Sequence, residues 1–287
     1  MPPKPFVRTL RAQWLGQELR SLRDARGMTL KMVAAHLRRD MSALSRYERG
    51  EWPIGRADVL ALLDLYGFHH AAERERMLRL AEEVWITDRW SENYSDILQP
   101  SFIDFPWLES KSERICSYHA SVIPGLFQLR DYAERVIRSV DGDELDEEGI
   151  QLCTDLRMER QAVLAAPHQP WIDVVIAESA LRRRIGRPSL CHAQMLHLLE
   201  CASLTRVIIR VLPSDVDLHR GLDGSFWVFQ MPHPYPAVAY LDYLGGQLYL
   251  EAPKSERFVR AYHGLSEIAM APQASVRFIE RLAKELE

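Results

Sequence analysis

Long apolar runs and closely spaced cysteines are both missing from this 287-residue sequence. No stretch approaches the roughly 18 apolar residues of a membrane-spanning helix, and no apolar signal core follows the first residues. We therefore expect a cytoplasmic protein with no membrane association. The four cysteines are widely scattered and include no C-x-x-C pair, which favours free thiols over a disulfide framework.

Common catalytic and metal-binding motifs are also missing. There is no G-x-S-x-G, P-loop or H-E-x-x-H segment. Glu109 and Glu113 lie four residues apart, but carboxylates at helical spacing usually face water, and Ser225 with His219 has no such motif around it. Four possible metal ligands occur at spacings unlike those of zinc fingers, at Cys191, His192, His197 and Cys201. We therefore expect no enzymatic activity, no metal and no cofactor.

Charge is distributed unevenly along the chain, although the net charge is only −4. Residues 1–70 contain 12 Lys and Arg against 7 Asp and Glu, a net of +5. The remaining residues contain 24 basic and 33 acidic side chains, a net of −9. A basic N-terminal region followed by an acidic remainder is typical of a phosphate-contacting domain attached to a domain that does not bind nucleic acid.

The first part of the chain predicts an all-α domain over residues 1–86. Residues 1–12 are predicted to be a loose basic arm. Apolar residues then recur at helical spacing in five segments, which are 14–25, 29–37, 41–49, 56–66 and 71–86. Thr29 and Asp40 are suitable N-caps for the second and third helices, and Gly50 is a suitable stop after the third.

The second and third helices fit a helix-turn-helix, in which the second helix of the pair reaches base edges in the major groove. Ala34 and Leu44 suit the buried contact between the two helices. The residues MTLKMVAAHLRRDMSALSRYERGEWPI resemble the lambda-repressor-like (Cro/cI-type) family, whose members bind double-stranded DNA through a domain of five helices. The resemblance implies base contacts at Met41, Ser42 and Arg46, with Ser45 nearby. Candidate phosphate contacts are Thr29, Lys31, Arg38, Arg39 and Arg49.

Three further positions bear on this resemblance. Arg23 and Glu48 match a pair that forms a partly buried ion pair in some members of the family. Leu30 stands where the family often has Gln, so one polar contact is missing. Arg38 replaces the usual turn glycine, and it must either adopt an unusual backbone conformation or remodel the turn.

Residues 87–108 show no clear period and are predicted to be an inter-domain crossing, followed by a mixed α+β domain at 109–287. Predicted strands cover 114–123, 171–176, 206–212, 225–230, 237–243 and 247–251. Predicted helices cover 128–138, 147–165 and 190–202, and two more close the chain. The fold class is thus multi-domain, with an α-helical head and an α+β remainder.

The second domain is similar to that of the WhiJ-like regulators of filamentous actinobacteria, through segments such as YHASVIPGLFQLRDYAERVI, HRGLDGSFWVFQMP and YLDYLGGQLYLE. That resemblance implies an antitoxin-like regulator that works with a small separate partner protein. From the residues alone, the domain could bind a small molecule, bind a protein, or only dimerise. Candidate ligand or partner residues are Trp107, Tyr118, His119, His219, Arg220, Asp223 and Trp227. The basic run Arg182-Arg183-Arg184 could contact a partner or phosphate, or could simply be solvated.

The function we expect is that of a dimeric, sequence-specific DNA-binding repressor whose C-terminal domain responds to a small partner protein. Dimerisation is expected because one short recognition helix reads too few base pairs for a unique site. Two alternatives stay open. One is a repressor that senses a small molecule in a pocket of the C-terminal domain, and the other is an interaction adaptor that binds no operator.

Overall fold

The chain divides into two units between Asp104 and Phe105. The structure, a computed structural model, describes residues 6–94, 100–243 and 246–287, and for residues 86–94, 100 and 101 it describes the backbone alone. The N-terminal unit is helical and the C-terminal unit contains a six-stranded sheet. The expected fold class, an α-helical domain followed by a mixed α and β domain, is confirmed.

Five helices build the N-terminal unit. They are α1 (Leu10–Ala25), α2 (Leu30–Leu37), α3 (Met41–Glu48), α4 (Arg56–Leu65) and α5 (Ala71–Tyr94). The predicted loose arm at 1–12 is wrong at its end, because Thr9 accepts a hydrogen bond from the Ala12 amide and so starts α1 before Trp14. Residues 1–5 of that arm lie outside the described residues.

The core of this unit is made by leucines and valines spaced along the helices, including Leu15, Leu19, Val33, Leu44 and Leu63. Their 3.6-residue period, visible in the sequence, places them on the inner faces. Helices α1 and α3 approach unusually closely at Gly16, where a Cβ would lie 2.4 Å from the Tyr47 carbonyl oxygen. No residue larger than glycine fits there without displacing the backbone.

The range predicted as an inter-domain crossing, 87–108, contains regular secondary structure that its sequence did not reveal. Helix α5 continues to Tyr94, a 3-10 turn occupies Pro100–Ile103, and α6 spans Asp104–Lys111. Helix α6 has only two turns, which is too short for a period to stand out in sequence. The remaining part of the crossing, residues 95–99, lies outside the described residues.

The C-terminal unit contains most of α6 and then alternates strands with helices. Its strands are β1 (Arg114–His119), β2 (Trp171–Ala177), β3 (Val207–Leu212), β4 (Phe226–Gln230), β5 (Val238–Tyr243) and β6 (Gly246–Leu250). Its other helices are α7 (Arg130–Asp141), α8 (Glu147–Arg160), α9 (Glu178–Arg182), α10 (Pro188–Ala202), α11 (Ser255–Ile268) and α12 (Pro272–Glu285). All four cysteines are free, as expected.

Two predicted elements end earlier than expected. The strand predicted at 114–123 stops at His119, because the Ala120 amide turns away to donate to the Ser225 hydroxyl, at 3.0 Å. The helix predicted at 147–165 is α-helical only to Arg160 and tightens into a 3-10 turn over Gln161–Ala165.

The sheet has the strand order β3-β2-β1-β4-β5-β6. Strands β1, β2 and β3 are parallel, whereas β4, β5 and β6 follow as an antiparallel meander. Cys116, Tyr118 and Phe226 face α11 and pack on Tyr262 and Leu265. The other face carries alternate residues of the same strands, including Ile115, Val174 and Phe229. Strand β2 reads as a nearly continuous apolar run because helices cover both faces.

Candidate nucleic-acid interface

Helices α2 and α3 are joined by only three residues, 38–40. Thr29 has an extended backbone and accepts a hydrogen bond from the Met32 amide at 3.3 Å, which fixes the start of α2. Arg38 ends α2 in the left-handed conformation, with φ 52° and ψ 40°. Of the two possibilities for this position, the structure therefore has the unusual backbone conformation. Asp40 is the N-cap of α3, although its side chain makes no capping hydrogen bond.

Helix α3 has a buried side and an exposed side. Leu44, Tyr47 and Glu48 are buried against the rest of the unit. The predicted base-contact residues lie on the other side: Met41 is 56% exposed, Ser42 is exposed, and Ser45 and Arg46 are half-buried. The helix therefore presents a solvent-facing side that combines the apolar Met41 with the polar Ser42, Ser45 and Arg46.

A buried ion pair joins α1 to the end of α3. Arg23 donates two hydrogen bonds to the Glu48 carboxylate, from Nε at 2.6 Å and from a terminal nitrogen at 2.9 Å. The same guanidinium also donates to the Met28 carbonyl at 2.8 Å and contacts Asp24. The hydrogen bonds to Glu48, together with the negative charges of Glu48 and Asp24, raise the pKa of Arg23 above its ordinary value. The pair fixes the C-terminal end of α3 on the domain.

Arg46 stacks on Trp52, a residue outside the predicted contact set. The guanidinium carbon lies 4.5 Å from the centroid of the indole ring. Trp52 is 44% exposed, so its ring is accessible beside the solvent-facing side of α3. A tryptophan two residues after the Gly50 helix stop was the available signal. The stack limits the positions that the Arg46 side chain can adopt.

The five predicted phosphate contacts differ in their partners. Arg49 donates to both carboxylate oxygens of Glu51, at 2.8 and 2.7 Å, and to the Ser45 hydroxyl. Arg39 contacts Asp58 at 3.2 Å. Lys31 and Arg38 are exposed, and neither has a carboxylate partner within the described part of the chain. Thr29 is exposed with its hydroxyl accepting the capping bond described above. Among these five candidates, Lys31 and Arg38 therefore carry the positive charge that no carboxylate of the described residues offsets.

The candidate residues of the C-terminal unit do not form one cleft. Tyr118 is buried on the α11 face of the sheet, with the His219 ring 6.1 Å away. His119 is buried on the opposite face, where its ring lies 4.9 Å from Trp227 and Nε2 lies 3.0 Å from the Ser117 hydroxyl. Burial lowers the pKa of His119 to about 3, so this ring is neutral at pH 7.

The other candidate residues are more peripheral. Trp107 is half-buried on α6, and Arg220 and Asp223 are exposed on the loop between β3 and β4. Glu109 is buried and receives two hydrogen bonds of 2.8 Å from Arg160, whereas Glu113 is exposed. The structure therefore separates this carboxylate couple. Within the described residues, no group of three or more His, Cys, Asp or Glu side chains could hold a metal ion.

The geometry of α2 and α3 is that of a helix-turn-helix, and two family models match the chain. Residues 14–77 match a helix-turn-helix domain, the kind of domain that DNA-binding regulators use. Residues 102–281 match the Domain of unknown function (DUF5753). Because this second match covers more than half of the chain, the protein belongs to the DUF5753 family. No curated protein and no solved structure matches the chain. In the described ranges, no helix is both long and apolar enough to cross a membrane.

Proposed function

We propose that this protein is a sequence-specific transcriptional regulator of the lambda-repressor-like (Cro/cI) type, which binds its operator as a homodimer and acts as a repressor. The observation that carries the proposal is the solvent-facing side of α3, where Met41, Ser42 and Arg46 lie on a helix held by the Arg23–Glu48 pair. Arg46 is the side chain best suited to read guanine, because arginine can donate two hydrogen bonds to its major-groove edge.

Electrostatics support the same proposal. The net charge of +5 in residues 1–70 favours association with DNA, and Lys31 and Arg38 are free to neutralise phosphates. Arg39 and Arg49 would first have to exchange Asp58 and Glu51 for phosphate oxygens. We therefore assign the larger electrostatic contribution to Lys31 and Arg38.

The proposed role of the C-terminal unit is to control DNA binding in response to a small partner protein, in the antitoxin-like manner that the resemblance implies. A small cavity under β1 is bordered by Glu109, Arg160, Ser117 and Trp227. Its charged groups are already paired with each other, and Ser117 is hydrogen-bonded to His119. Few polar groups are left for a metabolite, which favours a protein effector over a small-molecule one.

The DNA-binding proposal is tested by selecting genomic DNA fragments with the purified full chain and sequencing those retained. With a selected operator, Arg46→Ala should weaken specific binding by about 1–3 kcal/mol at fixed salt. Arg20→Ala is the matched control, because Arg20 is an exposed arginine on α1. Lys31→Ala should weaken binding to all sequences alike and reduce the salt slope by about 1. Unchanged affinity and sequence preference in the Arg46 variant would refute the assignment, and sequence-blind binding by the wild type would favour the adaptor alternative.

A further inference from the structure

The carboxyl ends of the three parallel strands lie side by side at one edge of the sheet. His119 pairs with Ile176 at the end of β1, and Ala177 pairs with Leu212 at the ends of β2 and β3. In open sheets with parallel strands, ligands usually bind beyond these carboxyl ends. An interaction surface in this unit is therefore expected on the loops that follow these strands.

Hydrogen bonds join these loops to one another. Besides the Ala120–Ser225 bond, the Ser179 hydroxyl donates to the Ala120 carbonyl at 3.2 Å. Arg183 Nε donates to the Ser121 carbonyl at 2.7 Å, and the Ser214 amide donates to Glu178 at 3.0 Å. The loop after β1, the segment around α9 and the loop between β3 and β4 thus form one connected surface.

The loop between β3 and β4 exposes two leucines. Leu218 is 86% exposed and Leu222 is 65% exposed. The loop is nevertheless anchored, because the His219 ring packs beside Tyr118 and a Cβ on Gly221 would lie 2.5 Å from the Tyr118 ring. The residues between the two leucines are thus packed on Tyr118, while the leucines themselves stay in solvent. This arrangement is more typical of a contact site than of a core.

Two arginines follow α9 closely, next to Arg183, whose Nε is bonded to the loop after β1. Arg182 contacts Glu178 and Glu285. By contrast, Arg184 and Arg187 are exposed and have no carboxylate partner among the residues that the structure describes. The two flank the turn at Gly186, which has a φ of 75°. This positive charge is concentrated in a part of the chain whose net charge is −9.

We propose that this edge binds an acidic protein segment that carries apolar side chains. The carboxyl-edge surface is defined by Arg183, Arg184, Arg187, Leu218 and Leu222. Acidic groups of the segment would pair with the arginines, and its apolar groups would cover the leucines. The leucines favour a protein over a nucleic acid, because phosphates offer no partner for an exposed leucine. The inference rests on the proposed function, since it identifies where the controlling partner would bind.

The test uses the full chain and an array of synthetic peptides in which Glu and Leu occupy varied positions. Two matched arrays replace every Glu with Lys or every Leu with Ser. The wild type should bind Glu–Leu peptides and neither matched set. Arg184→Glu with Arg187→Glu, or Leu218→Ser with Leu222→Ser, should weaken binding about tenfold or more, which corresponds to about 1.4 kcal/mol.

Two controls and the DNA measurement separate the outcomes. Arg257→Glu and Val140→Ser change an exposed arginine and a 65% exposed valine elsewhere, and they should leave peptide affinity within about twofold. Failure to bind Glu–Leu peptides, or equal binding of the Ser array, overturns the surface while operator binding is unaffected. A weaker, less salt-dependent DNA complex in the arginine variant would instead assign the arginines to phosphate and also overturn the proposal.

Discussion

Removal of the Glu48 carboxylate should destabilise the N-terminal unit severely. Arg23 is only 8% exposed. In Glu48→Ala, its guanidinium loses two charge-assisted hydrogen bonds. Leaving one partner of a buried ion pair alone costs about 3–5 kcal/mol. Since Arg23 keeps its contacts with Asp24 and the Met28 carbonyl, we expect about 3 kcal/mol, the lower end of that range.

The carboxylate also has a role that a stability measurement alone would miss. Because Glu48 is the last residue of α3, its loss should free the C-terminal end of the helix and reduce the hydrogen-exchange protection of α3 amides. A double variant, Arg23→Met with Glu48→Leu, removes both charges. It should recover most of the stability, because apolar replacement of a buried pair is often neutral or better.

Thermal unfolding of the full chain, with hydrogen exchange to localise the change, measures both effects. Glu82→Ala is the matched control: its partner Arg56 lies 2.7 Å away and both side chains are about half exposed. Exposed pairs contribute about 0–1 kcal/mol, so this variant should melt close to the wild type. A Glu48→Ala protein within about 1 kcal/mol of the wild type, with α3 exchange unchanged, would refute the reasoning.

Two further variants address backbone strain and pH. Arg38→Gly should stabilise the N-terminal unit by about 1 kcal/mol, because a side chain is unfavourable at φ 52°. Urea unfolding measures this gain, and a loss of stability would contradict the reasoning. The DNA affinity of the same variant should fall, because a predicted phosphate contact is removed. His119 has a folded pKa of about 3, below that of the unfolded chain. Its contribution to stability is therefore complete above the unfolded pKa and is lost as the pH falls from about 6.5 toward 3. In His119→Gln, the midpoint of thermal unfolding should depend less on pH over that range. An unchanged pH dependence of the midpoint would exclude His119 as the cause of the acid-induced loss of stability.

The helices and strands were largely predictable because each shows its period in the residues that it buries. Leu15, Leu19 and Leu44 repeat at helical spacing, and the helix stop at Gly50 has the positive φ that a glycine there suggests. The α3 face was predictable in the same way. Trp52 was missed because its role depends on a fold-back of the chain after Gly50 that places it against Arg46, and local spacing carries no such information.

Partner choice among the arginines was equally beyond the sequence. Arg38 and Arg39 are neighbours in one basic pair, yet only Arg39 contacts Asp58, a residue of the next helix but one. Arg182 and Arg184 differ in the same way, because Glu285 reaches Arg182 from the end of the chain. Whether a charge is available to a ligand is set by tertiary contacts, and a count of basic residues gives only the sum.

The candidate residues of the C-terminal unit illustrate a constraint that the sequence does contain. Tyr118 and His119 are consecutive residues of a predicted strand, and side chains of consecutive strand residues point to opposite faces. Since helices cover both faces of this sheet, the two rings had to enter separate cores, and no pocket within one face could contain both. Only the residues beyond the strand ends escape this alternation. A surface that combines several loops can form there, and the proposed surface with Leu218, Leu222 and the arginines after α9 uses these loops.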